Sequence, residues 1–191
     1  MSNPATDAQA DATHPSYTSG SRDDPARSAP PSSGELFPDI WADSTHGPLQ
    51  LHRWSEGRFT VIFAHASAYD PVAERDIMAM ARAQCAFDAL RCRVIGLTQS
   101  DPVTERVWLE DLSERHGVDV AFPVLSDEHG QILQTLGMMT DSSGDGAPVA
   151  KTFVIDPIFR VRAILEYPQS VGRDPNEVLR IVSALSNAFP S

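Results

Sequence analysis

The sequence predicts an α/β domain in which helices cover both faces of a mixed central sheet. Two short apolar runs rich in β-forming residues, at 59–63 and 92–97, have the length and composition of buried strands. The first run precedes Asp70-Pro71, which is typical of a helix that begins with aspartate at its N-cap, and the second precedes a helix predicted over 101–116. This alternation favours parallel strands. Two later runs on either side of Asp156-Pro157 predict a hairpin, which makes the sheet mixed.

The remaining elements extend this order to the end of the chain. Gly117 is expected to end the second long helix, because glycine tolerates the left-handed conformation found after helices. In chain order we predict extended segments at 36–41 and 48–52, a strand over 59–63, a helix over 71–90, a strand over 92–97, a helix over 101–116, a strand over 121–125, a short helix over 130–136, hairpin strands over 152–156 and 161–167, and a closing helix over 176–188. A strand-helix-strand unit followed by a hairpin and a helix is the thioredoxin arrangement, so we predict a thioredoxin-like fold.

Length and composition divide the 191 residues into a tail and one domain. Residues 1–33 are rich in Ser, Pro, Ala and Asp, and Tyr17 is their only Phe, Trp or Tyr. Such a segment buries too little apolar surface to offset its ordering entropy, so we expect it to be disordered, as an inert tail or a cleavable pro-segment. It has no apolar h-region and does not resemble a secretory signal. Residues 34–191 are predicted to form the domain.

Charge and cysteine content exclude several classes of partner. The net charge of -11 opposes binding to nucleic acid or to an anionic membrane surface, since both need clustered lysine and arginine. No apolar run approaches the ~20 residues that span a bilayer. Cys85 and Cys92 form neither a disulfide framework nor a zinc motif, and no H-x-x-x-H spacing occurs. We therefore expect a reducing, cytoplasmic location, no metal and no cofactor.

Several segments of the domain together point to one known family. They are GELFPDIWADSTHGPLQLH, IFAHASAYDPVAERD, CRVIGLTQSD, AFPVLSDEHGQILQTLGMM, FVIDP and EYPQSVGRDPNEVLR. The most distinctive run is Tyr167-Pro168-x-Ser170-x-Gly172-Arg173. On these segments the chain resembles the peroxiredoxin (AhpC/TSA) family, and most closely its one-cysteine, peroxiredoxin-6-like branch. The resemblance implies a thioredoxin-like fold and a homodimer.

The catalytic motif of that family is changed at every key position in this chain. The family carries Pro-x-x-x-Thr-x-x-Cys, and its cysteine thiolate attacks a peroxide. The resemblance places the proline at Ala66, the threonine at Asp70 and the cysteine at Ala73, and the family's thiolate-stabilising arginine at Ala150. Because alanine has no nucleophile, the peroxidase chemistry of the family has no atom to begin it.

His65 is the best remaining candidate for chemistry, because histidine works as an acid or a base near neutral pH and the family often has one here. We expect Asp70, Asp76 or Tyr69 to hold its tautomer. The structural alternatives are a scaffolding histidine, a capping Asp70, and a Tyr69 that only forms a wall. The candidate catalytic residues are therefore His65, Asp70 and Tyr69, and the candidate ligand pocket comprises Ala66, Ser67, Ala73, Asp76, Trp108, Ala150 and Arg173.

Two pocket residues have plainer interpretations than ligand binding. Asp76 aligns with a family glutamate that helps to hold the loop, so we expect it to form an ion pair with Arg75 or Arg173. Trp108 is expected either to line the pocket or to pack in the core.

Three functions stay open at this point. The first is a repurposed enzyme that acts on a small molecule by acid-base chemistry at His65. The second is a non-catalytic relative that binds a small ligand or a protein through the inherited pocket. The third is a thiol peroxidase that uses Cys85 or Cys92, although both positions lie well away from the opening turn of the helix at 71–90. Burial as small apolar side chains is the structural alternative for these cysteines.

Overall fold

The computed structural model describes residues 29–139, 150–167 and 171–188. Most of the predicted disordered tail, residues 1–28, lies outside these described residues. The described elements, in chain order, are β1 Trp41–Ala42, β2 Leu49–Gln50, α1 Leu51–Ser55, β3 Phe59–Ala64, α2 Pro71–Arg82, α3 Gln84–Ala89, β4 Cys92–Thr98, α4 Pro102–His116, β5 Val124–Ser126, α5 Gln131–Thr135, β6 Ala150–Ile155, β7 Val161–Tyr167 and α6 Pro175–Ala188.

A five-stranded sheet with the order β5-β4-β3-β6-β7 forms the centre of the domain. Strand β3 pairs in parallel with β4 and antiparallel with β6, so the sheet is mixed as predicted. All six residues of β3 are buried, because its alternate side chains enter two different cores. Val61 and Phe63 pack into one core, and Ile62 and Ala64 pack into the other. The predicted thioredoxin-like fold is confirmed.

The two cores are closed by different helices. Buried side chains of α2, α4 and α6 belong to the core that contains Phe63, together with Phe87 from α3. Leu51 of α1 and Leu133 of α5 belong to the core that contains Ile62. The helices therefore cover both faces of the sheet, and the loop after β3 opens at the carboxyl ends of the two central parallel strands.

Two predicted elements have different bounds. The helix predicted over 71–90 is interrupted at Ala83, whose N–H contacts the carbonyl of Met80, three residues back, at 3.1 Å. The break redirects the chain into α3, where Phe87 is fully buried. The segment predicted as extended at 48–52 turns helical from Leu51, since Leu51 and Ser55 bury one face and the Ser55 hydroxyl bonds the Leu51 carbonyl.

Shorter strands replace two further extended predictions. Of the described residues in the segment predicted at 36–41, only Trp41 belongs to a strand, which continues to Ala42. The strand predicted at 121–125 begins later, at Val124, after Pro123. Proline lacks the N–H that a strand ladder needs, which accounts for the later start. In the part of the chain that the structure describes, no helix has both the length and the apolar character needed to cross a membrane.

Candidate active site

The first turn of α2 follows the loop at the end of β3, and Asp70 caps it. The Asp70 Oδ1 atom accepts hydrogen bonds from the N–H groups of Val72, at 2.9 Å, and Ala73, at 2.8 Å. Pro71 occupies the first helical position, where its missing N–H costs nothing. The capping role expected of Asp70 is confirmed. Ala73 is buried under this turn, with 2% of its surface exposed.

His65 lies at the end of β3 and is held by a residue that the sequence analysis did not select. Its Nε2 atom lies 2.9 Å from Oε1 of Glu105, which belongs to the first turn of α4. The two side chains are 0% and 1% exposed, so the pair is closed to bulk water. The expectation that Asp70, Asp76 or Tyr69 holds the His65 ring is therefore wrong. Asp70 instead caps α2, and Asp76 forms an ion pair elsewhere.

Within the part of the chain that the structure describes, three buried polar atoms around this pair have no hydrogen-bond partner. They are Nδ1 of His65, Oε2 of Glu105 and Nε1 of Trp108. Glu105 and Trp108 are three residues apart in α4 and therefore share one helix face. The rings of His65 and Trp108 have centroids 6.0 Å apart. Because buried polar atoms are nearly always satisfied, this cluster is suited to a small polar guest.

The loop between β3 and α2 is tied to the end of β4. The Thr98 hydroxyl donates to the Ala66 carbonyl at 2.6 Å, and the Ala68 N–H donates to the Ser100 hydroxyl at 2.8 Å. Tyr69 has a φ of 67°, a left-handed conformation that is strained for a tyrosine. Its side chain is 60% exposed, and its ring centroid lies 6.1 Å from that of Trp108. Tyr69 therefore lies between solvent and the buried cluster.

Arg173 joins three parts of the fold beneath this loop. Its guanidinium donates to the Asp76 carboxylate, to the carbonyl of Ala64 and, at 3.1 Å, to the Thr152 hydroxyl. Arg75 also approaches Asp76, with Nε 3.3 Å from Oδ1, so the ion pairing expected of Asp76 is confirmed. Burial lowers the pKa of Arg173, and the neighbouring Asp76 carboxylate opposes that shift. The guanidinium of Arg173 is therefore occupied by hydrogen bonds to the protein itself.

The predicted site residues thus divide into separate groups. His65, Tyr69 and Trp108 come together, whereas Asp76 and Arg173 form their own pair. Among the other predicted pocket residues, Ser67 is exposed, Ala66 is half-buried, and Ala150 is a half-buried residue opposite Tyr167 at the start of β6.

Neither cysteine belongs to the loop that carries His65. Cys85 is exposed on α3, and Cys92 is buried at the start of β4. Burial raises the pKa of the Cys92 thiol to about 12, and the charge of Asp88 adds to the effect. Cys92 is therefore a neutral thiol at physiological pH, which makes it a poor nucleophile.

Comparison with known proteins identifies the family. Residues 33–164 match the AhpC/TSA family, and the chain belongs to it. It is 34% identical over 155 residues to a peroxiredoxin of Nanoarchaeum equitans, covering 81% of this chain and 69% of that one. It is 36% identical over 157 residues to a peroxiredoxin of Methanococcus vannielii, covering 81% and 72%.

Two solved peroxiredoxin structures are similar to the whole domain. A yeast mitochondrial one-cysteine peroxiredoxin superposes with a TM-score of 0.76 at 29% identity, covering 82% of this chain and 77% of that chain. A cysteine-to-serine mutant of peroxiredoxin 6 from Arenicola marina superposes with a TM-score of 0.75 at 28% identity, covering 81% and 73%.

Proposed function

We propose that this chain is a one-cysteine-type peroxiredoxin that has lost its peroxidatic cysteine and acts on a small molecule by acid-base chemistry at His65. The motif alignment supports the loss, because it puts Ala73 at the position of the family's cysteine. The alignment also puts Ala150 at the position of the family's thiolate-stabilising arginine, which agrees with the proposed loss of the cysteine. A carboxylate at Asp70 also disfavours any thiolate or peroxide anion at this helix start, since like charges repel.

The observation that carries the proposal is the pairing of His65 with Glu105. A buried carboxylate on one ring nitrogen fixes the imidazole in place, and the other nitrogen, Nδ1, has no partner. This is the usual arrangement of a histidine that exchanges a proton with a bound molecule. Glu105 is then the positioning residue for His65. Asp70, committed to the helix cap, takes no part in this chemistry.

The substrate must be small and must enter past Tyr69. The buried cluster offers one donor at the Trp108 indole and two acceptors, Glu105 Oε2 and His65 Nδ1, because Nε2 carries the proton donated to Glu105. A molecule with both donor and acceptor groups satisfies all three. We propose that movement of the exposed Tyr69 ring away from Trp108 admits the substrate.

Full burial of His65 favours the second function, a non-catalytic protein that binds a ligand or a protein partner through the same pocket. The third function is a thiol peroxidase. Because the pKa of Cys92 is raised, the exposed Cys85 is the better candidate nucleophile of the two cysteines. In each case a cytoplasmic homodimer is the assembly that we propose.

A general-base probe tests the acid-base function without knowledge of the natural substrate. We expect the protein to accelerate the ring opening of 5-nitrobenzisoxazole, which needs only proton abstraction, and His65→Gln to reduce the rate about 100-fold. His116→Gln is the matched control, because His116 forms a similar pair with Glu74, at 2.8 Å, on the surface. Equal rates in the two variants, with melting temperatures near that of the parent protein, contradict the proposed base.

The same preparations separate the other two functions. We expect no consumption of hydrogen peroxide in the presence of a thiol reductant. Consumption that disappears in Cys85→Ala establishes the thiol peroxidase instead. If no variant differs from buffer with either probe, the non-catalytic binding function takes precedence.

A further inference from the structure

A cavity of about 580 Å³ is lined by residues of β1, β2, α1 and the loop between β1 and β2, and by Arg93 of β4. Arg93, which lines it, pairs in register with Thr60 near the start of β3, whereas His65 follows the end of β3. Five residues of strand separate these levels by about 17 Å. Its lining includes the arginines Arg53 and Arg93, His46, and the tryptophans Trp41 and Trp54. No aspartate or glutamate lines the cavity.

The arginines around this cavity have no acidic partner among the described residues. Among the described residues, no carboxylate lies within ion-pair distance of Arg53, Arg93 or the nearby Arg58. The chain has 26 acidic residues against 15 lysines and arginines, so unpaired arginines grouped in one place are unexpected by chance. The grouping makes a local positive field on an acidic protein, which attracts anions.

The surroundings of the Arg93 guanidinium contain an aromatic ring and a second cation. Its guanidinium lies over the ring of Trp54, with Cζ 4.5 Å from the ring centroid. Its Nε atom is buried and makes no hydrogen bond to any residue that the structure describes. Burial lowers the pKa of Arg93, and repulsion by Arg58 adds to the effect. An anion bound beside the guanidinium would offset the repulsion between Arg93 and Arg58.

We propose that this cavity binds a phosphate monoester carried on a planar ring, of about the size of a mononucleotide. Guanidinium groups match the oxygens of phosphate in pairs, and two arginines suit a doubly charged group. Trp41 is 59% exposed and offers a flat surface on which the ring of the ligand stacks. The cavity volume falls within the range of small-molecule sites, about 300–1,000 Å³. The proposal does not depend on chemistry at His65.

Titration with AMP, adenosine and inorganic phosphate tests the proposed site. Calorimetry is the main measurement, and quenching of tryptophan fluorescence reports on Trp41 and Trp54. We expect AMP to bind saturably and about tenfold more tightly than either adenosine, which lacks the charge, or phosphate, which lacks the ring. Added salt should weaken AMP binding and leave adenosine binding unchanged.

Charge-matched variants decide the outcome. Arg53→Gln and Arg93→Gln should each weaken AMP binding about tenfold, whereas Arg180→Gln, which removes the same charge from the exposed face of α6, should not. AMP binding no tighter than that of adenosine overturns the proposal, and so does equal binding by Arg53→Gln and Arg180→Gln. Because Arg53 is exposed on α1, its variant decides the matter even if the half-buried Arg93 proves necessary for folding.

Discussion

The two cysteines show how strongly the place of a residue in the fold sets its reactivity. Cys92 is 2% exposed at the start of β4, next to Asp88, and both the burial and the negative charge oppose formation of its thiolate. Cys85 is exposed on α3. The attacking species in thiol chemistry is the thiolate, so only Cys85 is available to reagents.

Thiol titration checks this difference. At pH 8 the native protein should react quickly with one equivalent of Ellman's reagent, at Cys85, because this pH lies far below the pKa of about 12 for Cys92. The second equivalent should appear only in denaturant. Cys85→Ser should abolish the fast phase and Cys92→Ser should leave it intact; fast reaction of both thiols contradicts the burial of Cys92.

The partner of His65 was the main residue that the sequence did not reveal. Glu105 is 40 positions away along the chain, and no local spacing connects the two. One signal was present. Glu105 shares the inner face of α4 with Trp108 and Leu112, both fully buried, and a lone acid on such a face needs a partner. The identity of that partner depends on the packing of α4 against β3, which pattern alone does not fix.

At the scale of the element, the helix starts were predictable because their chemistry is local. Asp70 and Asp101 each accept hydrogen bonds from the two N–H groups that follow the proline. The interruption at Ala83 was not predictable, because alanine is the best helix former and the break arises from tertiary packing of Phe87. The closing helix was placed within one residue of its observed start.

The cap of α2 gives a direct stability test. Asp70→Ala should lower the free energy of unfolding by about 1 kcal/mol, since the N–H groups of Val72 and Ala73 lose their acceptor. Asp70→Asn keeps a capping oxygen and should lose much less. Urea unfolding followed by circular dichroism measures both. A parent-like value for the alanine variant contradicts the capping role.

A second interaction connects the ends of two helices. Glu74, in the first turn of α2, accepts a hydrogen bond from each terminal nitrogen of Arg115, at 3.1 Å, and one from Nε2 of His116, at 2.8 Å. Both partners lie in the last turn of α4. Glu74 at a helix start and the two basic residues at a helix end therefore also interact favourably with the dipoles of their own helices. The hydrogen bonds from Arg115, followed by those from His116, lower the pKa of Glu74.

This arrangement predicts a pH-dependent contribution to stability. A lowered folded-state pKa gives a contribution that is present above the ordinary value of 4.5 and is lost as the pH falls through the folded value. Glu74→Gln should therefore melt slightly below the parent protein at pH 7 and match it at strongly acidic pH. Glu110→Gln, an exposed residue on α4, is the control. A melting difference that persists in acid contradicts the ion-pair origin.

At the scale of the whole molecule, Arg173 connects the segment before α6 to both halves of the sheet. It contacts Asp76 on α2, the end of β3 at Ala64 and Thr152 on β6. Its guanidinium also lies over the ring of Phe63, with Cζ 5.2 Å from the ring centroid. Arg173 and Asp76 are both buried, so the opposite charge of each offsets the desolvation cost of the other.

Breaking this pair should destabilise the entire domain. Arg173→Met should lower the free energy of unfolding by about 3–5 kcal/mol, since it leaves the Asp76 carboxylate buried without its main partner. The double variant Arg173→Met with Asp76→Leu should lose less than the sum of the two single variants, because no uncompensated charge is left. Additive losses in urea unfolding contradict the coupling, and Arg180→Met controls for removal of an arginine.

The capped start of α2 has a consequence for the proposed loss of the peroxidatic cysteine. Helix starts attract negative charge because their amides are free, but here the carboxylate of Asp70 already satisfies the N–H groups of Val72 and Ala73. This counter-ion is covalently attached and cannot dissociate. A thiolate grafted onto position 73 would have to compete with it for the same amides. The proposed function therefore predicts that a cysteine at position 73 gives peroxidase activity only when the Asp70 carboxylate is removed as well.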